Sequence, residues 1–156
     1  NIGAGNEKRF REGYRTCYFA LAAFAAALCV LTQSFGSLFI SAFLDAEVSE
    51  EAFSVAMSYA DFISFFYILI GLKATTDGLL RGAGDVTVFT VSNLANLTIR
   101  VFVASFFAPR YGLEFVWYAV PLGWATNYAI SFGWYLTGHW KRIRLIEGGE
   151  KRPYRA

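Results

Sequence analysis

Between Arg15 and Asp45 the chain runs for 29 residues without a charged side chain, and so long an apolar run can hide its surface in few ways. About 20 such residues cross the hydrocarbon core of a bilayer as a helix. Three further blocks repeat the pattern: Ala52 to Leu72 with Asp61 as its one charge, Val86 to Pro109 with Arg100 alone, and Phe115 to Trp140 with no Asp, Glu, Lys or Arg. They are too long and too uniformly apolar for the alternation of a membrane barrel, so helices are expected. Composition points the same way. With 56% hydrophobic and 17% charged residues among 156, against ~25% charged in ordinary soluble domains, a soluble fold of this size lacks the polar surface to cover itself.

The expected fold is therefore all-α and integral to the membrane, with four transmembrane helices at about residues 16–35, 52–80, 86–108 and 113–138. The polar and small run Gln33-Ser34-Phe35-Gly36-Ser37 is expected to end the first span, with a short interfacial helix over about 37–44. Pro109 is expected to close the third span. Lys and Arg in the loops set orientation. Lys8, Arg9, Arg11 and Arg15 precede the first span, Lys73 and Arg81 sit between the second and third, and Lys141, Arg142, Arg144, Lys151, Arg152 and Arg155 follow the fourth, so twelve of the fourteen basic residues share one side. Both chain ends are expected in the cytoplasm, in a cell-membrane protein in contact with lipid. Residues 146–156, rich in Gly and charge, are expected to be a disordered tail. The chain starts on Asn rather than Met, and a piece of a longer protein is expected.

Several function classes fall away. Intrinsic disorder requires low hydrophobicity, and nucleic-acid binding a basic face, whereas the bases here are short clusters between apolar blocks. Cys17 and Cys29 stand twelve residues apart in one apolar block, about 18 Å along a helix, too far for a disulfide. Gly82-Ala83-Gly84 lacks the preceding strand and third glycine of a dinucleotide fingerprint and reads as a turn, with Gly at positive φ and Asp85 capping the next helix; Gly3-Ala4-Gly5-Asn6 reads likewise. His139 has no ligand partners at metal spacing, and Asn96-Leu97-Thr98 is a chance glycosylation pattern inside a span. No nucleophile–base constellation is present, so neither an enzyme, a metal site nor a cofactor is expected.

The polar residues inside the spans need a reason, because a charge in hydrocarbon costs at least ~2.5 kcal/mol. Asp61 and Arg100 lie at matched depth, ~13 Å below the outer helix ends. They are expected to pair, as a structural bridge or as part of a transport pathway. Asn93, Asn96 and Arg100 share one face of the third span, Ser54, Ser58, Asp61 and Ser64 one face of the second, and Gly123, Asn127, Ser131 and Trp134 one face of the fourth. All three stripes are expected to face one interior, as hydrogen-bonding glue or as pathway lining. Lys73 and Asp77, with Arg81 and Asp85 beyond them, read as a snorkelling interfacial salt-bridge cluster, with an inner gate as the alternative.

The run Asp77-Gly78-Leu79-Leu80-Arg81-Gly82-Ala83-Gly84-Asp85, preceded by Asn1-Ile2-Gly3-Ala4-Gly5-Asn6, Lys8, Arg9 and Arg11 and an acidic loop, resembles the second half of a multidrug and toxic compound extrusion (MATE) transporter. Ile99-Arg100-Val101, Ala108-Pro109-Arg110-Tyr111-Gly112-Leu113 and Val116-Trp117 through Pro121-Leu122-Gly123-Trp124 resemble that family's last two helices, and the likeness covers about residues 1–145. It implies spans nine to twelve of a twelve-helix exporter of organic, often cationic, compounds driven by Na⁺ or H⁺, with an N-terminal lobe as partner and no cofactor. Where some members carry an acidic coupling residue, eleven positions before the Arg81 equivalent, this chain has Ile70. That difference points coupling toward the N-terminal lobe. Phe62, Phe65, Phe66, Tyr67 and Trp134 are available to contact flat cations. A lipid-linked oligosaccharide or polysaccharide flippase of related architecture, or a non-transporting four-helix scaffold, are the alternatives.

Overall fold

Short polar side chains open three of the helices by accepting a backbone N–H that the first turn leaves free. Asn6 Oδ1 accepts from Arg9 N at 3.0 Å, Ser49 Oγ from Ala52 N at 3.2 Å and Asp85 Oδ1 from Val88 N at 3.4 Å. The computed structural model describes residues 6–43, 49–112 and 114–142. Among the described residues the elements are α1 (Glu7–Phe43), α2 (Glu50–Ser64), α3 (Tyr67–Gly82), α4 (Val86–Tyr111) and α5 (Phe115–Thr137), followed by a 3₁₀ turn over His139–Arg142. The expected Gly3-Ala4-Gly5 turn and the 146–156 tail lie outside the described residues.

Three expected boundaries move. No break separates a first span from an interfacial helix: α1 is continuous for 37 residues. Gly36 is buried against the Met57 side chain of α2, and Gln33 Nε2 donates to Asp61 O at 3.0 Å and to Ser64 Oγ at 2.8 Å. Packing on α2 thus outweighs the ~1 kcal/mol that a mid-helix glycine costs. The stretch expected as one span, 52–80, is built of two helices bent by 53° at Phe65–Phe66. Finally, α4 runs through Pro109 to Tyr111. Proline in the last turn sacrifices only one backbone bond; Arg110 Nη1 donates to Phe106 O at 2.8 Å, and the helix stops at Gly112, φ 101°.

Among the described residues two helices, α1 and α4, are long and apolar enough to cross a membrane, and the bent α2–α3 pair makes three if it is one span. The 23-residue α5, uncharged but rich in Trp and Tyr, is not among them. α4 lies along α5, α1 along α3, and α3 also packs on α5, while α1 covers α2; α2 and α4 scarcely meet. The outward faces carry Phe19, Phe24, Val30, Leu38, Leu97 and Phe102, all at least half exposed. Such a surface suits hydrocarbon rather than water. At the other extreme, Leu79, Leu80, Ala83 and Trp140 form a core beneath Phe10, Tyr14, Trp134 and Tyr135.

Candidate functional site

The i, i+4 spacing of Lys73 and Asp77 places both on one face of α3, and that face points inward. Their ion pair closes at 2.9 Å, with side chains only 15% and 3% exposed. The snorkelling reading is therefore corrected: the pair sits inside the packing, because α5 and α4 supply it with partners. Ser131 Oγ of α5 donates to Asp77 Oδ1 at 2.7 Å, and Lys73 Nζ donates to Asn93 Oδ1 of α4 at 3.2 Å. Asn93 Nδ2 in turn donates to Phe89 O. One charge pair thus ties three helices, and breaking such a pair from one side typically costs ~3 to 5 kcal/mol.

The turn after α3 is fastened to the same helices. Asp85 N donates to Leu80 O and Gly84 N to Arg81 O, at 2.9 and 3.0 Å, the paired bonds of a Schellman ending. Gly84 supplies the positive φ, 85°, that this ending demands, as expected from the sequence, whereas Gly82 is still helical. Asp85, 6% exposed, both caps α4 and accepts from Trp134 Nε1 of α5 at 2.6 Å. Arg81 remains exposed, its guanidinium 4.6 Å from the centre of the Phe89 ring. His139 is exposed beside Trp134.

Further along the α4–α5 contact the two expected polar stripes do meet. Gly123 is so close to α4 that a Cβ there would run into Asn96 Oδ1 and would lie 2.7 Å from Arg100 Cγ. One turn on, Asn127 is fully buried, and neither its Oδ1 nor its Nδ2 has a hydrogen-bond partner; buried Asn96 Oδ1 lacks one too. Buried polar atoms are nearly always satisfied, so three without a partner in one seam are unusual.

The α2 stripe goes elsewhere, and the expected pair with it. Ser64 Oγ and Asp61 O face α1 through Gln33, and Asp61 Oδ1 lies 4.0 Å from the point where a Gly36 Cβ would stand. Asp61 and Arg100 form no ion pair within 4.0 Å; among the described residues the ion pairs are Lys73–Asp77 and Arg11–Glu7. The bend at Phe65–Phe66 is the reason, since it leaves α3 rather than α2 beside α4.

The first 106 residues, which hold α1 to α3 and most of α4, match the family model described as MatE. The chain belongs to the MatE family. A relative in Bacillus subtilis (strain 168), described as "Probable multidrug resistance protein YpnP", is 27% identical over 147 residues, 94% of this chain and 32% of that protein. The chain therefore spans about one third of that relative's length. No solved structure matches it.

Within this MatE chain, three side-chain links were not foreseen. Tyr14 Oη and Thr76 Oγ1 lie 3.0 Å apart, and Tyr18 Oη and Tyr128 Oη 3.1 Å, joining α1 to α3 and α5; Gln33 joins α1 to α2. The i, i+4 spacing of Tyr14 and Tyr18 was the available signal, overshadowed by the ordinary role of tyrosine at membrane interfaces.

Proposed function

We propose that this MatE-family chain is the helix nine-to-twelve portion of a secondary active exporter of small organic compounds, driven by Na⁺ or H⁺ and working by alternating access. In that reading α1, the bent α2–α3 pair, α4 and α5 are four spans in a cell membrane with both ends cytoplasmic, partnered by an N-terminal lobe. The observation that carries it is the buried seam in which Lys73–Asp77 ties α3 to Asn93 and Ser131, beside the unsatisfied Asn96 and Asn127. Intramembrane charges that face a bundle interior mark ion and substrate paths. Breaking and remaking the hydrogen bonds by which that pair holds Asn93 of α4 and Ser131 of α5 is also the sort of two-state event on which alternating access runs.

Lys73, Asp77 and the Gly84–Asp85 turn act here as the cytoplasmic gate, Gly84 fixing the turn and Asp85–Trp134 holding it to α5. The rings of Tyr59, Phe62, Trp117 and Tyr118, with centroids 4.9 to 6.1 Å apart, offer flat cations a wall between α2 and α5. The test is ethidium efflux from proteoliposomes holding the full protein under an imposed Na⁺ or H⁺ gradient. Efflux is expected under one of the gradients, to vanish when it is collapsed, and to lose its gradient dependence in Asp77→Asn. Efflux that ignores both gradients, or none at all, overturns the reading.

A further inference from the structure

One charge in the apolar part of the chain is left open. Arg100 stands 14 residues beyond Val86 and 11 before Tyr111, which puts it about 2 Å from the middle of α4 along the helix axis. α4 is long and apolar enough to cross a bilayer, and a charge at the centre of a span is costly unless it meets a partner. Snorkelling to lipid headgroups serves residues near helix ends, not one at the middle. Yet Arg100 is exposed. Its Cγ and Cδ lie against Gly123 of α5, and its guanidinium has no hydrogen bond, ion pair or ring contact among the described residues.

The carboxylates of this chain stand elsewhere. Neither α4 nor α5 contains one. Glu7 and Glu12 lie in the first two turns of α1, Glu50 and Glu51 open α2, and Asp85 and Glu114 sit at the starts of α4 and α5. Asp45, Glu47, Glu147 and Glu150 lie outside the described residues, beyond the ends of the apolar blocks. Asp77 is closed by Lys73 and Ser131. Asp61 is turned toward Gly36 of α1, on a helix that scarcely meets α4. A second copy brings the same carboxylates in the same places, and a two-fold axis at this edge would set guanidinium against guanidinium. What suits an exposed guanidinium at mid-depth is a different helix that brings its own carboxylate, because the fork of arginine matches two carboxylate oxygens and the pair removes both charges from hydrocarbon. Leu97 and Ala104, one turn to either side, give that helix apolar edges to pack on. The Bacillus subtilis relative is about three times as long as the stretch matched here, so a polypeptide of that length has room for further helices.

We propose that the edge of α4 at Arg100 is a docking face for a further membrane-spanning helix of the same polypeptide, outside these 156 residues, that carries an aspartate or glutamate at the depth of Arg100. The inference needs α4 to span the membrane and holds whether or not the protein is an exporter. The test is carbodiimide cross-linking of Arg100→Lys in the full protein, reconstituted in vesicles, with dicyclohexylcarbodiimide, which enters the bilayer and joins an amine to a neighbouring carboxylate as an amide with loss of water. Peptide mass spectrometry reads the product, and the native Lys73–Asp77 pair, 2.9 Å apart, is the control in the same sample. A cross-link from position 100 to an acidic residue of another span, within one molecule, is expected. A cross-link to Asp61, or one that joins two copies, overturns the proposal, and so does none at position 100 where Lys73–Asp77 reacts. Where neither pair reacts, or Arg100→Lys does not fold, thermal melting of Arg100→Met decides, since Met keeps the unbranched contact with Gly123. Removing the charge strands a carboxylate if the helix is docked, so a lower melting temperature or a loss of folded protein is expected. A melting temperature unchanged or raised means that Arg100 has no such partner and overturns the proposal. Ethidium efflux plays no part in these readouts, so the exporter reading and this docking face fail separately.

Discussion

At the scale of single residues, the two positions that matter most differ in how they resist change. Asp77 is held by opposite charge and a hydroxyl in a nearly dry seam, so Asp77→Leu strands Lys73 and is expected to lower stability by ~3 to 5 kcal/mol. The double variant Lys73→Met with Asp77→Leu removes both charges and should recover most of that loss in a thermal melt in detergent. A double variant no better than the single would mean that Ser131 and Asn93, rather than the charge pair, hold α3 in place. Gly123 resists for a steric reason. Gly123→Ala forces Asn96 and Arg100 out of position, with an expected cost of ~1 to 3 kcal/mol, while Gly78→Ala, where nothing lies within 4 Å, should stabilise or be neutral.

At the scale of elements, the α3–α4 turn separates two glycines that look alike in sequence. Gly84 occupies φ 85° and Gly82 a helical conformation. Gly84→Val should therefore cost at least the ~1 to 2 kcal/mol of a left-handed residue with a side chain, and more for a branched one. Gly82→Ala, with open space around it, should raise the melting temperature slightly. If both variants lose stability equally, the Schellman ending is not what shapes this turn. The long α1 carries a related lesson. Its Gln33-Ser34-Phe35-Gly36-Ser37 stretch contains no proline, and residues that favour breaks when exposed persist in a helix when a neighbour buries them.

At the scale of the whole molecule, the lopsided distribution of bases makes orientation testable. In a background with Cys17 and Cys29 replaced by Ser, single cysteines at the exposed positions Lys8 and Gly82 are expected to react only from the cytoplasm. Cysteines at Glu51 and Arg110 are expected to react only from outside. This measurement also decides whether α5 spans, because Arg110 precedes it and the basic segment from Lys141 follows it. Labelling of Arg110 and Arg144 from the same side would make α5 an interfacial helix.

Which parts of the chain are helical and apolar was legible in the residues alone, since hydrocarbon admits no unsatisfied backbone and 29 uncharged positions leave little else to form. The Gly84 turn, the Asp85 cap and the shared faces of Asn93 with Asn96 and of Asn127 with Ser131 were legible too, because they depend on neighbours within four residues. What touches what across the seam was not. The 53° bend at Phe65–Phe66 carries no proline or glycine to announce it, and it decides that Asp61 faces Gly36 while Arg100 faces Gly123. Matched depth in sequence is a statement about one coordinate along the membrane normal; a salt bridge needs the other two, and only the packing of α3 against α4 and α5 supplies them. The same packing turned Lys73–Asp77 from a surface pair into a buried one, because desolvation depends on atoms tens of residues away.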